Sequence, residues 1–340
     1  MKKILITGGA GFIGINAAEH FINKGFFVKI FDNFSRDLVE ENIKWLKSNY
    51  EGKFEVIKAD VTTDIDTLQK TVNESDLVIH LAAQVAVTTS IQDPKSDLNT
   101  NAIGTFNVLE AIRKSPNQPS LLYSSTNKVY GALESLEVNE EEKRYEFQNK
   151  QGVSEEQNLD FHSPYGCSKG AADQYVRDYH RIYGLKTVVF RQSCIYGPHQ
   201  FGIEDQGWVA WFIIACLLNK DITIYGNGKQ VRDILFVKDL VNAYDLALES
   251  IEKTQGKIFN IGGGYVNSLS LLEFIKNLEK LMGKKINFSF SDWRPGDQPI
   301  FISDNSYADK VFGWQPKISK DAGINEIYEW LKDNIDLIKK

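Results

Sequence analysis

Tyr165 and Lys169 stand four residues apart in the stretch His162-Ser163-Pro164-Tyr165-Gly166-Cys167-Ser168-Lys169. Pro164 suits the first turn of a helix, and the run that follows, to about Tyr183, predicts one. On a helix, a four-residue separation puts both side chains on one face. An ammonium beside a phenol stabilises the phenolate and draws its pKa down from about 10 towards neutrality. Such a phenol is a general base, able to take the proton of an alcohol or sugar hydroxyl as hydride leaves the same carbon. Tyr and Lys at this spacing are common, so the pair needs support from a hydride acceptor site elsewhere in the chain.

The N-terminus supplies one. The apolar run Lys3 to Thr7 leads into Gly8-Gly9-Ala10-Gly11-Phe12-Ile13-Gly14 and then a helical pattern. Strand, glycine turn and helix form the context of a dinucleotide-binding fingerprint. Gly8 permits the tight turn, Gly11 lets the backbone approach a pyrophosphate, and Gly14 allows close helix–strand packing. The pyrophosphate would lie on the helix N-terminus at Phe12 and Ile13, where free N–H groups and the dipole favour an anion. A second strand, Phe27 to Phe31, ends at Asp32, placed to accept the adenosine ribose hydroxyls, with Asn33, Ser35 and Arg36 following. An acid there repels the extra phosphate of NADP and indicates NAD, although Arg36 is a residue that can welcome that phosphate.

The chain has 340 residues, room for a large domain and a smaller lobe. Hydrophobic residues make up 42% and charged ones 25%, ordinary for a globular protein, and a net charge of −6 gives no reason to expect nucleic acid or an anionic membrane. Met1-Lys2-Lys3 leads straight into a core strand, and no apolar run has the length of a membrane span, so a cytoplasmic protein is expected. Cys167, Cys194 and Cys216 form no metal or disulfide pattern. Cys167, two residues past Tyr165, reads as a small buried hydrophobe or as a neighbour of the active site.

Short β-rich runs alternate with helical patterns up to about residue 190: Lys3–Thr7, Phe27–Phe31, Phe54–Lys58, Leu77–Leu81, Leu121–Ser124 and Thr187–Arg191. This alternation predicts an α/β fold, a doubly wound parallel Rossmann sheet, with ligands at the carboxyl edge of the strands. Asp60-Val61 follows the third strand, and Leu81-Ala82-Ala83-Gln84 closes the fourth with small residues beside which a dinucleotide can lie. Residues 1–190 are assigned to the NAD-binding domain, including the Tyr/Lys helix. Residues 191–340 are assigned mainly to a smaller C-terminal substrate lobe, with the chain free to cross between the two. Segments Ile222–Tyr225 and Ile286–Phe290 predict short strands there. Residues 132–158, polar and acidic, read as a surface excursion.

The fifth strand runs into Tyr123-Ser124-Ser125-Thr126-Asn127-Lys128-Val129-Tyr130-Gly131, and a hydroxyl at that strand end can steady a developing keto group. Taken with Gly8-x-x-Gly11-x-x-Gly14, Asp60, Tyr165-x-x-x-Lys169 and Arg191…Tyr196-Gly197-Pro198, the chain resembles the extended short-chain dehydrogenase/reductase family of nucleotide-sugar enzymes along essentially its whole length. The resemblance implies Thr126 as the catalytic hydroxyl, Tyr165 as the base, and Lys169 as the residue that holds the nicotinamide ribose and tunes Tyr165. Ser124 and Asn101 are implied as supports of the cofactor site. Gly226-Asn227-Gly228-Lys229-Gln230-Val231-Arg232-Asp233 resembles the segment whose arginine contacts the substrate diphosphate, and Arg294-Pro295-Gly296-Asp297 a second phosphate-clamping loop. Guanidinium forks pair with phosphate oxygens in a bidentate way. Gln84, Thr126, Asn127, His162 and Gln192 complete the expected substrate contacts, His162 being equally readable as a packed histidine. Trp208 and Trp211 read as core packing or as sugar-pocket lining.

Sugar-nucleotide dehydratases of the family carry an Asp-Glu pair after the threonine, and here those positions are Asn127 and Lys128. Without that acid/base pair, elimination of water has no evident proton source. Segments Ser124–Gly131, Leu159–Gly170, Asp205–Trp208 and Asn267–Leu271 resemble the branch that epimerises CDP-activated sugars at carbon 2 with tightly held NAD. That branch implies a CDP-sugar substrate and an assembly of identical chains, dimer or tetramer. Cys194 departs from the wider family, where many members carry Asn before Tyr-Gly-Pro. A 4-epimerase would use the same parts on carbon 4. A non-catalytic NAD sensor would not need Thr126, Tyr165 and Lys169, all of which are present.

Overall fold

A computed structural model describes residues 1–294 and 296–339. Pro295, part of the second expected phosphate loop, lies outside the described residues. The chain divides into two compact units that are interleaved in sequence. Unit 1 comprises Met1–Thr126, Pro164–Arg191 and Val241–Phe259; unit 2 comprises Asn127–Ser163, Gln192–Leu240 and Asn260–Lys340.

The main sheet has seven strands: β1 (Lys3–Thr7), β2 (Phe27–Asp32), β3 (Phe54–Lys58), β4 (Leu77–His80), β5 (Ser120–Thr126), β6 (Thr187–Gln192) and β7 (Lys257–Ile261). Their spatial order is β7-β6-β5-β4-β1-β2-β3. β1 pairs in parallel with β2 and with β4, and β4 in parallel with β5, so the order reverses beside β1. A reversal of this kind opens a crevice at the carboxyl edge, the place where ligands bind in open α/β sheets. All four residues of β4 and all six of β6 are buried, as strands covered on both faces require. Leu5, Val78, Leu121 and Val189 pack with Val108, Leu109, Ala172 and Val176 from the crossover helices into one core.

Unit 2 is built around Val231–Phe236, which pairs in parallel with Cys194–Tyr196 and Ile300–Phe301 and antiparallel with Ser268–Ser270. Ile222–Tyr225 and Phe288–Ser291 form a separate parallel pair, so the second of these strands begins two residues later than the sequence pattern predicts. Residues 132–158 are less of an excursion than their polarity suggests. They contain a hairpin, Val138–Glu140 with Tyr145–Phe147, and Val153 is fully buried in a cluster with Val129, Tyr130 and Phe301. Arg144 anchors the hairpin by donating to Ser268 at 2.8 Å and pairing with Glu273. Among the described residues, no helix is long and apolar enough to cross a membrane.

Candidate active site

The Ser163–Tyr183 helix carries Pro164 in its first turn and buries Tyr165, Lys169 and Asp173, residues spaced at i, i+4 and i+8. Cys167 is exposed, not buried. Two residues of helix turn it about 200° from Tyr165, away from the buried stripe. Thr126, the last residue of β5, hydrogen-bonds the Tyr165 phenol. Lys169 Nζ donates to the Ser124 carbonyl at 2.5 Å and stands 4.4 Å from the centre of the Tyr123 ring. The backbone N–H of Tyr165 donates to Ser90 Oγ at 3.2 Å.

The pKa pattern corrects the expectation that Lys169 draws Tyr165 towards neutrality. Burial pushes the Tyr165 phenol up to about 12; the Thr126 hydrogen bond and the Arg36 charge oppose the rise, and Asp97 adds to it. Burial lowers Lys169 to about 7, against the pull of Asp173 and Asp97. Spacing reveals that two groups share a face, but not that burial penalises the charged form of both.

Buried polar side chains brace this set. Asn101 sits in a five-residue π-helical turn, Asn99–Ile103, with no exposed surface. Its Oδ1 accepts from the Gln84 backbone N–H at 2.9 Å, and its Nδ2 donates to Asp97 and to Ser168. Gln84 turns its side chain into its own loop, donating to Ala86 and Asp97 and accepting from the Ala86 N–H. Asn101 and Gln84 therefore act here as braces between the end of β4 and the Ser163–Tyr183 helix.

The expected cofactor residues form a cradle. Gly8 has φ +67°, and a Cβ on it would lie 2.7 Å from the Ala82 backbone nitrogen; a Cβ on Gly14 would lie 2.5 Å from the Gly8 carbonyl oxygen. Those two glycines are demanded by the fold itself. A Cβ on Gly11 would meet only the Gly8 oxygen, at 3.2 Å, so the protein's own packing barely requires a glycine there. The Phe12–Asn23 helix starts at Gly11 without a side-chain cap, which leaves its first N–H groups for an anion. Asp32 accepts from the N–H groups of Ala10 (3.0 Å) and Phe34 (2.8 Å), and burial raises its carboxyl while those bonds and Arg36 oppose the rise. Arg36 is near enough to feel both Asp32 and Tyr165. Asn33 donates to Asp60 at 2.7 Å, and Asp60 also takes the Thr62 N–H and hydroxyl, which hold its carboxyl low despite burial. Ser35 is exposed, Val61 is buried, and Leu81, Ala82 and Ala83 are half-buried beside the Gly8 turn. An uncapped helix N-terminus, an unfilled approach at Gly11 and an acid at the end of β2 fit a dinucleotide.

The expected substrate residues lie in unit 2, apart from Gln84 and Thr126. Asn127 and Gln192 are buried and His162 is half-exposed, its Nε2 3.4 Å from Asp160. Arg232 donates to Asp297 Oδ1 at 2.6 Å and to the Val231 carbonyl, and Lys128 lies 3.5 Å from the same Asp297 oxygen. Arg294 pairs with Asp205 at 3.0 Å and stacks 4.0 Å over the Tyr225 ring. Trp208 and Trp211 pack against the unit 2 core, Trp208 edge-on to Phe274 at 5.1 Å.

Sequence reasoning missed three carboxylates. Asp97 and Asp173 are wholly buried near Lys169, and Asp297 joins Arg232 to Lys128. Asp173 had a signal, four residues past Lys169 on the same helix face, and so did Asp97, four before Asn101. Asp173 is taken up by a two-point pair with Arg191 at 2.9 Å and by Ser125.

The GDP-mannose 4,6 dehydratase family model matches residues 5–327. The chain is 46% identical over 335 residues to a CDP-paratose 2-epimerase of Salmonella typhi, covering 96% of this chain and 98% of that one. It is 33% identical to a putative UDP-glucose 4-epimerase of Methanocaldococcus jannaschii, covering 97% and 99%. Among solved structures, the UDP-glucuronic acid 4-epimerase of Bacillus cereus, in complex with UDP-glucuronic acid and NAD, superposes with a TM-score of 0.84 at 29% identity, over 98% and 99% of the two chains. A glycine cradle, a Thr126–Tyr165–Lys169 set and relatives that match end to end place this chain in the GDP-mannose 4,6 dehydratase family of extended short-chain dehydrogenases/reductases.

Proposed function

We propose that this protein inverts carbon 2 of a nucleotide sugar through a 2-keto intermediate, with CDP-paratose and CDP-tyvelose as the interconverted pair. The observation that carries the reading is the Thr126–Tyr165–Lys169 set, next to Asn127 and Lys128 in place of an acid pair, in a chain 46% identical to a CDP-paratose 2-epimerase. NAD, when bound, would supply an acceptor and then a donor for the carbon-2 hydride. Tyr165 takes the proton of the 2-hydroxyl and later returns it, and Thr126 holds the reacting oxygen by hydrogen bond. Lys169 steadies the nicotinamide ribose. Gly11 and the first turn of the Phe12–Asn23 helix hold the pyrophosphate, and Asp32 the adenosine ribose. Arg232 and Arg294 anchor the diphosphate, so binding energy comes from a part of the substrate that does not react while the keto sugar turns over. The cycle is redox neutral, and NAD stays bound. Identical chains assemble as a dimer or tetramer.

The test is to offer CDP-, UDP- and GDP-sugars and resolve the products by NMR, with CDP-paratose deuterated at carbon 2 as the principal substrate. CDP-tyvelose that keeps deuterium at carbon 2 in ordinary water, formed at a slowed rate, is the expected result. Loss of label to solvent removes hydride transfer from the reading. Inversion at carbon 4 with carbon 2 untouched replaces it with a 4-epimerase.

A further inference from the structure

Asp97, a carboxylate with no exposed surface beside the Ser163–Tyr183 helix, has no task in the epimerisation chemistry. Its Oδ2 accepts from Ser168 Oγ at 2.5 Å, and its Oδ1 from Gln84 Nε2 at 2.8 Å and Asn101 Nδ2 at 3.1 Å. All three donors are neutral. Asp173, the other carboxylate acting on Lys169 and the stronger of the two there, is in two-point contact with the Arg191 guanidinium. Asp97 is tied instead to Ser168, the residue immediately before Lys169, and Ser168 Oγ also reaches the Tyr165 carbonyl at 3.2 Å. We propose that Asp97 is a positioning residue for the Tyr165–Lys169 pair, a buried negative charge that holds the proton on both side chains and so sets the pH range in which Tyr165 can act as a base.

The direction follows from charge alone. An anion disfavours the phenolate and favours the ammonium, so it raises the proton affinity of both groups, and Asp97 acts on both in this sense. Other groups face the pair from every side. Arg36, on the loop after β2, opposes Asp97 at Tyr165, and the Lys169 charge disfavours protonation of His80 on β4. Tyr123 on β5 presents its ring to Lys169, and Asp173 with Arg191 closes the far side. Burial drives His80 neutral, its pKa falling to about 3, so over the working range it adds no competing charge.

The geometry also supplies a substitution that removes the charge and keeps the bonds. In Asp97→Asn, Oδ1 can still accept from Gln84 and Asn101. The new amide can donate to Ser168 Oγ, whose own proton then turns to the Tyr165 carbonyl. The proposal rests on Tyr165 being the base, so the primary readout is free of any sugar. Phenolate absorbance of wild type minus Tyr165→Phe gives the Tyr165 titration, and the same subtraction is made in the Asp97→Asn background. A fall of on the order of one pH unit in Asp97→Asn is expected, with the acidic, rising limb of any epimerase profile moving the same way. An unmoved midpoint overturns the proposal, as does a uniform loss of turnover with no shift along the pH axis. A carboxyl-carbon NMR titration of wild type keeps the question decidable if Asp97→Asn does not fold: an Asp97 that stays protonated through neutral pH also overturns it. Failure to turn over CDP-paratose, with the Tyr165 midpoint shifted as expected, would count against the substrate assignment alone.

Discussion

Around Lys169 in unit 1 the carboxylates act at one remove, whereas around Arg232 and Lys128 in unit 2 a single carboxylate is in direct contact. Lys169 gives its ammonium to the Ser124 carbonyl and feels Asp97 and Asp173 only through their charge. Asp297 touches Arg232 at 2.6 Å and lies 3.5 Å from Lys128. The consequences differ. A separated charge leaves burial dominant, and Lys169 falls to about 7, where a proton can come and go. A contact pair keeps Asp297 ionised and below its ordinary range even though burial alone would raise it. The first arrangement suits proton transfer; the second holds a guanidinium fork on a carboxylate that phosphate oxygens can replace, although burial lowers Lys128 there despite the contact.

The largest expected effect breaks the first arrangement. Tyr165→Phe removes one oxygen from a buried side chain and with it the proposed proton carrier. Turnover should fall by about 10²–10⁴-fold, the usual worth of general acid–base help, while substrate binding changes little. Steady-state kinetics with CDP-paratose checks this. Retention of more than about a tenth of wild-type turnover would remove the phenol from the role of base.

A smaller effect, on a different kinetic constant, tests the second arrangement. Arg232→Lys keeps the positive charge but loses the fork, and a lysine cannot hold both Asp297 and a phosphate oxygen in the same plane. Hydrogen bonds to charged groups contribute about 1.5–3 kcal/mol, so KM should rise by roughly 10- to 100-fold. The turnover number should stay within a few-fold, because the diphosphate does not change in the reaction. If kcat falls as in Tyr165→Phe while KM holds, the division of labour between the two clusters is wrong.

How much of this was legible beforehand depended on the kind of constraint. The sheet strands were readable because apolar runs bounded by glycine and polar residues carry strand and turn in the sequence itself, as at Lys3–Thr7 followed by Gly8. Gly8 and Gly14 were readable because the fold demands them, one through a positive φ and the other through backbone only 2.5 Å away. Tyr165 and Lys169 announced a shared face by helical period. Their proton affinities did not follow, since these depend on burial and on groups such as Thr126 at the end of β5 and Asp97, which meet the helix only after folding. The hairpin at 138–147 was hidden for a related reason: its polar residues are satisfied by Ser268 and Glu273, far along the chain. Asp97 carried no local signal of its burial, because Ser168, Gln84 and Asn101 close over it only in the fold.

The subtlest test sets the two carboxylates against each other as a function of pH. Burial raises Asp97 above the ordinary aspartate value near about 3.9, with Ser168, Gln84 and the Lys169 charge only partly opposing. A raised carboxyl favours the protonated form in the folded state. Its contribution to stability is therefore complete below about pH 3.9 and is lost as pH rises through the higher folded value. Asp297 is lowered, because Arg232 and Lys128 outweigh burial, so its contribution is present above about pH 3.9 and is lost as pH falls through the folded value. Asparagine at either site removes the titration. Asp297→Asn leaves Arg232 and Lys128 without their shared anion and should cost about 1–3 kcal/mol at neutral pH, shrinking in acid. Asp97→Asn keeps its hydrogen bonds, so the change should stay within about 1 kcal/mol, and the variant should gain on wild type as pH rises above about 4. Urea unfolding of the three proteins across that range reads both trends. Opposite slopes relative to wild type follow from one carboxylate held by cations and the other by neutral donors, and parallel slopes would mean that the two sites hold their charge in the same way.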